Sequence, residues 1–165
     1  MRAMMRVLAM ALALVAVVTL VGCGDDLAFD TLRQRYEDLE YVYAEQAPEI
    51  DEKLKYSVLP KIQAAMEADD VEFRAHYFSK EFLIGENVKI KGTAWLVILE
   101  YDSAEAVKTV MEQTEGVGAI LRDQVENQLE SWNYSYDRLV RDRYIVFPVS
   151  CPREMAQEML DTLQS

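Results

Sequence analysis

The segment Thr93 to Tyr101, TAWLVILEY, leaves this chain few choices. In extended backbone, successive side chains point to opposite faces. Trp95, Val97 and Leu99 therefore point one way, and Leu96 and Ile98 the other. Both faces are apolar, so the segment is expected in the middle of a sheet, covered above and below. The rest of the chain must supply flanking strands and that cover.

Upstream, Phe29, Leu32, Tyr36, Leu39 and Tyr43 recur at three- and four-residue spacing among charged residues, which predicts an amphipathic helix ending near Gln46. Pro48 suits the first turn of a second helix carried by Ile50, Leu54, Val58, Ile62 and Met66, kinked or split at Pro60. Together they predict a helical hairpin over 29–67. Val71, Phe73 and Ala75 alternate with Glu72, Arg74 and His76, which fits a strand or a loose helical turn. Gly85-Glu86-Asn87 and Lys91-Gly92 read as turns around the short run Val88–Ile90.

Downstream, Asp102 to Glu105 has the pattern of a capping box with Asp102 as the cap. A helix through Val107, Val110 and Met111 follows, then a break at Gly116 and Gly118, and a second helix marked by Ile120, Leu121, Val125, Leu129 and Trp132. Tyr134–Val140 and Arg143–Val149 predict two strands about a turn at Arg141-Asp142, with Pro148 favouring an edge or a last paired position. A closing helix starts at Pro152, with Cys151 as its cap and Met155, Met159 and Leu163 on its buried side. Strand, helix, hairpin, helix is most of a split βαβ unit, and Phe82 or Val88 could begin the remaining strand. The expected fold is α+β: a helical hairpin over 29–67, then over 82–165 a ferredoxin-like antiparallel sheet with helices on one face. The single domain spans 29–165.

Residues 1–22 stand apart from that domain. Arg2 and Arg6 precede a 16-residue run, Val7 to Gly22, without a charge. As a helix it is about 24 Å long at about 1.5 Å per residue, short of the roughly 20 residues that a stable span needs. A basic start, an apolar core and small residues at the cut are the parts of a secretory signal. The run ends Leu20-Val21-Gly22-Cys23, which resembles the lipobox of bacterial lipoproteins. The resemblance implies cleavage before Cys23, diacylglycerol on its thiol, an acylated new amino terminus and residence at the cell envelope, outside the cytoplasm. Residues 23–28 are then the lipidated end and a short linker. The order of elements in the mature part also resembles that of other small bacterial lipoproteins.

Charge narrows the partners. The signal holds two of the 17 basic residues and none of the 29 acidic ones, so residues 23–165 carry 15 against 29, a net −14. Such a field repels nucleic acid, anionic lipid and acidic substrates, and nucleic-acid binding is disfavoured for want of a basic patch that would release counterions. The expected partners are the membrane, through the lipid, and an envelope protein or the cell wall. The chain has two cysteines; with Cys23 acylated, Cys151 has no partner for an intramolecular disulfide.

Few residues suggest chemistry, and none is expected to be catalytic. His76 is the one histidine, and no phosphate loop, HExxH, nucleophile elbow or CxxC is present. Cys151, at a predicted helix start, is a candidate reactive thiol, because that position lowers a thiol's pKa; the plainer reading is a small apolar residue beneath the sheet edge. The acidic runs lack an EF-hand pattern and read as solvated helix faces, so neither metal nor cofactor is expected. Trp132, Tyr134 and Tyr136 share one face if extended and are candidate ligand or partner contacts; burial against Tyr36 and Tyr43 is the alternative. The expected function is a lipid-anchored, non-enzymatic binding, assembly or accessory module. The alternative is an envelope enzyme or enzyme inhibitor, with a pocket between helical hairpin and sheet.

Overall fold

A computed structural model describes residues 27–44, 46–85, 89–124 and 135–165. Its architecture is α+β, with six helices and a five-stranded antiparallel sheet among the described residues. In chain order these are α1 (Phe29–Asp38), β1 (Val42–Ala44), α2 (Leu59–Glu67), β2 (Phe73–Ile84) and β3 (Ile90–Tyr101). Then follow α3 (Ala104–Glu112), α4 (Gly116–Gln124), α5 (Tyr136–Leu139), β4 (Val140–Arg141), β5 (Tyr144–Val149) and α6 (Arg153–Gln164).

The sheet order is β1-β2-β3-β5-β4. β2 and β3 pair along their whole length, from Phe73 opposite Tyr101 to Ile84 opposite Ile90. β3 is the central strand, as its composition demands, and Leu96, Val97, Ile98 and Leu99 are fully buried. Each such side chain contributes about 1.5–3 kcal/mol. β3 and β4 are both antiparallel to the β5 between them, so they run the same way.

Helices cover both faces, not one. On the face of Phe78, Leu96 and Ile98 lies α1, whose Phe29 and Tyr36 rings meet Phe78; α6 joins it, with the Tyr36 hydroxyl donating to the Met159 carbonyl at 2.8 Å. The opposite face, that of Val97, Leu99 and Ile145, is covered by α3, on which α4 and then α2 pack. This is the physical consequence of a strand apolar on both sides: one layer of helices would leave half of it wet.

The helical hairpin is also corrected. α1 stops at Asp38 because Glu40 adopts φ 66°, and the Glu40 and Tyr41 amides donate back to the Glu37 and Tyr36 carbonyls. That is a Schellman ending, completed by the Tyr36 and Tyr41 rings meeting edge to face at 5.9 Å. β1 then pairs along the sheet edge, and the chain crosses to the other face before α2 begins. α2 starts at Leu59 with Pro60 in its first turn, so the proline opens this helix rather than kinking a longer one.

Other boundaries shift for local reasons. Lys91-Gly92 is strand, not turn, and the Phe82 ring lies over Gly92 from the paired strand. The cap of α3 is Ser103, whose hydroxyl accepts from the Ala106 amide, rather than Asp102. The expected strand 134–140 is over its described part a helical turn, with only Val140–Arg141 extended. β4 is so short that Pro148 meets β3 on one side and no strand on the other, so its missing amide costs nothing. The expected signal and linker, residues 1–26 with Cys23 among them, and the helix expected beyond Gln124 lie outside the described residues.

Candidate functional site

The pairing of β2 with β3 sets Arg74 opposite Glu100, and the pairing of β3 with β5 sets Glu100 opposite Tyr144. His76 is two residues from Arg74 on the same face, so a row of polar groups crosses one end of an otherwise apolar sheet. Glu100 is the centre of that row. Its Oε2 lies 3.0 Å from His76 Nε2, and its Oε1 2.9 Å from an Arg143 guanidinium nitrogen.

An ionised carboxylate only accepts, so the imidazole proton sits on Nε2 and Nδ1 accepts from the Tyr43 hydroxyl at 3.3 Å. The Phe29 ring stacks on the imidazole at 3.6 Å, tilted by 18°. Only 9% of His76 is exposed. Burial lowers its pKa below the ordinary imidazole value, against an opposing pull from Glu100, so the ring is neutral at pH 7. The Arg33 guanidinium lies over the Tyr43 ring at 4.4 Å.

Arg143 also reaches the Tyr144 hydroxyl, at 3.3 Å, and that hydroxyl donates to the Leu27 carbonyl at 2.8 Å. The network thus ties the first described residue to four strands, β1, β2, β3 and β5. Beside it opens a cleft of about 320 Å³ whose walls include Arg74, Arg143, Glu72, Asp102 and Tyr101. A second cleft of about 390 Å³ lies between the 48–54 segment and the sheet, lined in part by Leu54, Phe82 and Trp95. The β2–β3 hairpin projects past its neighbours and carries exposed Leu83, Ile84 and Ile90 at its far end.

Of the residues singled out from sequence, Cys23, Trp132 and Tyr134 lie outside the described residues. Tyr136 opens the α5 turn, so the two-residue alternation does not extend to it. Cys151 precedes the α6 start by two positions; Pro152 holds the cap position, without a side-chain hydrogen bond. The thiol packs partly buried against the core, and burial pushes its pKa up to about 11, the opposite of activation at a helix end. It lies five residues beyond Val146, the residue in line with His76 through Ile98, and past the end of β5, so it takes no part in the His76 network. No group of three metal-ligating side chains occurs among the described residues, and none of their helices is long and apolar enough to cross a membrane.

Sequence reasoning missed the Glu100–Arg143 pair. The one available signal was a glutamate ending an otherwise apolar strand. No family model, curated protein or solved structure matches this chain.

Proposed function

We propose that this chain is a lipid-anchored extracytoplasmic protein, acylated on Cys23, that works as a binding or accessory module close to a bacterial membrane. The observation that carries the reading is a spacing. Cys23 ends the lipobox-like Leu20-Val21-Gly22-Cys23, and four residues later Leu27 is only 7% exposed and held through its carbonyl by Tyr144. Four residues reach at most about 14 Å, so the domain begins where the anchor ends. Two or three acyl tails hold such a protein firmly, at about 0.8 kcal/mol per buried methylene.

The membrane is the first partner in this reading, and an envelope protein or the cell wall the second. For the architecture we propose a ferredoxin-like split crossover, β3 to β4 with β5 between them, in which β2 occupies the place of the closing strand. The parallel sense of β3 and β4 supports this.

Replacing Cys23→Ala tests the anchor. The wild type is expected in the membrane fraction at the mass of residues 23–165 plus diacylglycerol and an amide-linked acyl chain. The variant is expected to keep its leader and lose the acyl mass. An unchanged mass would overturn the reading. A second reading, an envelope enzyme, draws on the Glu100–His76–Tyr43 order of carboxylate, imidazole and hydroxyl, the arrangement that activates a hydroxyl nucleophile. The Tyr43 hydroxyl, however, lines neither of the two clefts described above, and a network buried under Phe29 is explained by its structural ties alone.

A further inference from the structure

We propose that the cleft beside Glu100 binds a small zwitterion, its anionic group between Arg74 and Arg143 and its ammonium against Glu72 and Asp102. The proposal deepens the binding-module reading and rests on it.

The charges fall at two levels of one cleft: Arg74 is opposite Glu100, and Glu72 and Asp102 lie two residues further along the same two chain segments. Glu100 is mostly buried, and both its oxygens are committed, one to Arg143 and one to His76. His76 is itself fixed by Phe29 and Tyr43. Arg143 is therefore held in place by a rigid, desolvated support before any ligand arrives. Arg74 stands directly across from Glu100, exposed and without a hydrogen bond or ion pair among the described residues. Two guanidiniums around one committed carboxylate leave a net positive spot, in a chain whose overall charge is −12.

Glu72 and Asp102 line the same cleft, both exposed and likewise without a hydrogen bond or ion pair among the described residues. A simple anion would meet these carboxylates and gain little; a simple cation would meet the arginines. A molecule with both charges a few ångströms apart satisfies both ends. At about 320 Å³ the cleft is at the lower end of small-molecule sites. It also lies at the Leu27 end of the sheet, next to the proposed anchor, where phosphate–ammonium headgroups are abundant. The shared chemistry is phosphate plus primary ammonium, from a bilayer lipid or a free molecule.

The test uses the mature, acylated protein in an uncharged detergent, titrated calorimetrically with O-phosphoethanolamine, inorganic phosphate and ethanolamine. Saturable binding of O-phosphoethanolamine is expected, at least about tenfold tighter than either half alone. Arg74→Gln and Asp102→Asn, both at exposed positions, should each weaken it about fivefold to tenfold with melting temperature unchanged. No saturable heat, equal affinity for phosphate or ethanolamine alone, or variants that bind like wild type would overturn the proposal.

Reconstitution separates the sources. If vesicles of phosphatidylethanolamine abolish binding of the free probe and vesicles of phosphatidylglycerol do not, the lipid headgroup fills the cleft. Equal binding in both makes the ligand a soluble zwitterion, and either result supports the site. An intact mass showing the acyl chains together with failed titrations overturns the cleft alone. A missing acyl mass with successful titrations overturns the anchor alone.

Discussion

Glu100 places a negative charge at the end of the most buried strand, and its two partners decide how that charge is tolerated. Breaking a buried pair costs more than the pair contributes, because the remaining charge is left uncompensated. The imidazole side of the network makes stability depend on pH. Burial holds the folded pKa of His76 below the ordinary value of about 6.5. Below that value the unfolded chain takes up a proton that the folded one resists. The contribution is therefore complete above about pH 6.5 and is lost as pH falls through the lowered folded value. Thermal melting from pH 7.5 to 5 should show a steeper loss for wild type than for His76→Gln, whose amide can still donate to Glu100; parallel curves would refute this role.

Cys151 supplies the opposite case, a group kept inert. With its pKa pushed to about 11, its thiolate at pH 8 is rarer by a factor on the order of a hundred than in the unfolded chain. Alkylation by iodoacetamide should accelerate by about that factor on unfolding. Neither environment was legible in the letters. His76 and Glu100 are 24 positions apart, and only the β2–β3 register brings them together. Cys151 next to a proline suggested a cap, but the helix begins one residue after that proline, leaving the thiol facing the core.

At the scale of elements, two backbone details carry predictions. The Schellman ending of α1 places Glu40, a residue with a Cβ, at φ 66°. Left-handed backbone costs a non-glycine residue about 1–2 kcal/mol, of which glycine's extra freedom in the unfolded chain returns roughly half. Glu40→Gly should therefore stabilise by about 0.5–1 kcal/mol in urea unfolding. Gly118 is a harder constraint. A Cβ there would lie 2.0 Å from the Val110 carbonyl oxygen, which is backbone and cannot rotate away. Gly118→Ala must push α4 off α3 and should destabilise by about 2–4 kcal/mol, the range of severe overpacking.

Elements whose signal is their own composition were readable: β3 from its double apolar face, α3 from its periodicity, α6 from its methionines and leucine. Elements set by their surroundings were not. The periodicity of α1 runs on through Leu39 and Tyr43, yet the chain leaves the helix at Asp38, because Tyr43 is needed at the sheet edge beside His76. The β2–β3 hairpin looked like a succession of turns, since Gly92 sits there. Full-length pairing and the Phe82 ring supply what glycine lacks.

At the scale of the molecule, the two ends of the sheet differ. Leu27 is fastened to Tyr144, across from Glu100, while the exposed Leu83, Ile84 and Ile90 sit at the far end of the β2–β3 hairpin. From Glu100 to Ile90 is ten residues of strand, about 33 Å at roughly 3.3 Å each. A leash of at most about 14 Å from an acylated Cys23 cannot cover that distance. On the proposed anchor, the cleft end faces the bilayer and the apolar hairpin tip points outward, where a protein partner could meet it. Energy transfer to a headgroup-labelled lipid measures this directly. A fluorophore on Asp70→Cys, next to the Asp69 that accepts from Tyr101 at the cleft end, should transfer strongly once the acylated protein is in vesicles. The same fluorophore on Leu83→Cys should transfer weakly, and native Cys151 should stay silent because its thiol is held protonated. Equal transfer from the two positions would mean that the domain lies flat on the membrane. Stronger transfer from Leu83 would mean that the hairpin, not the cleft, faces the lipid.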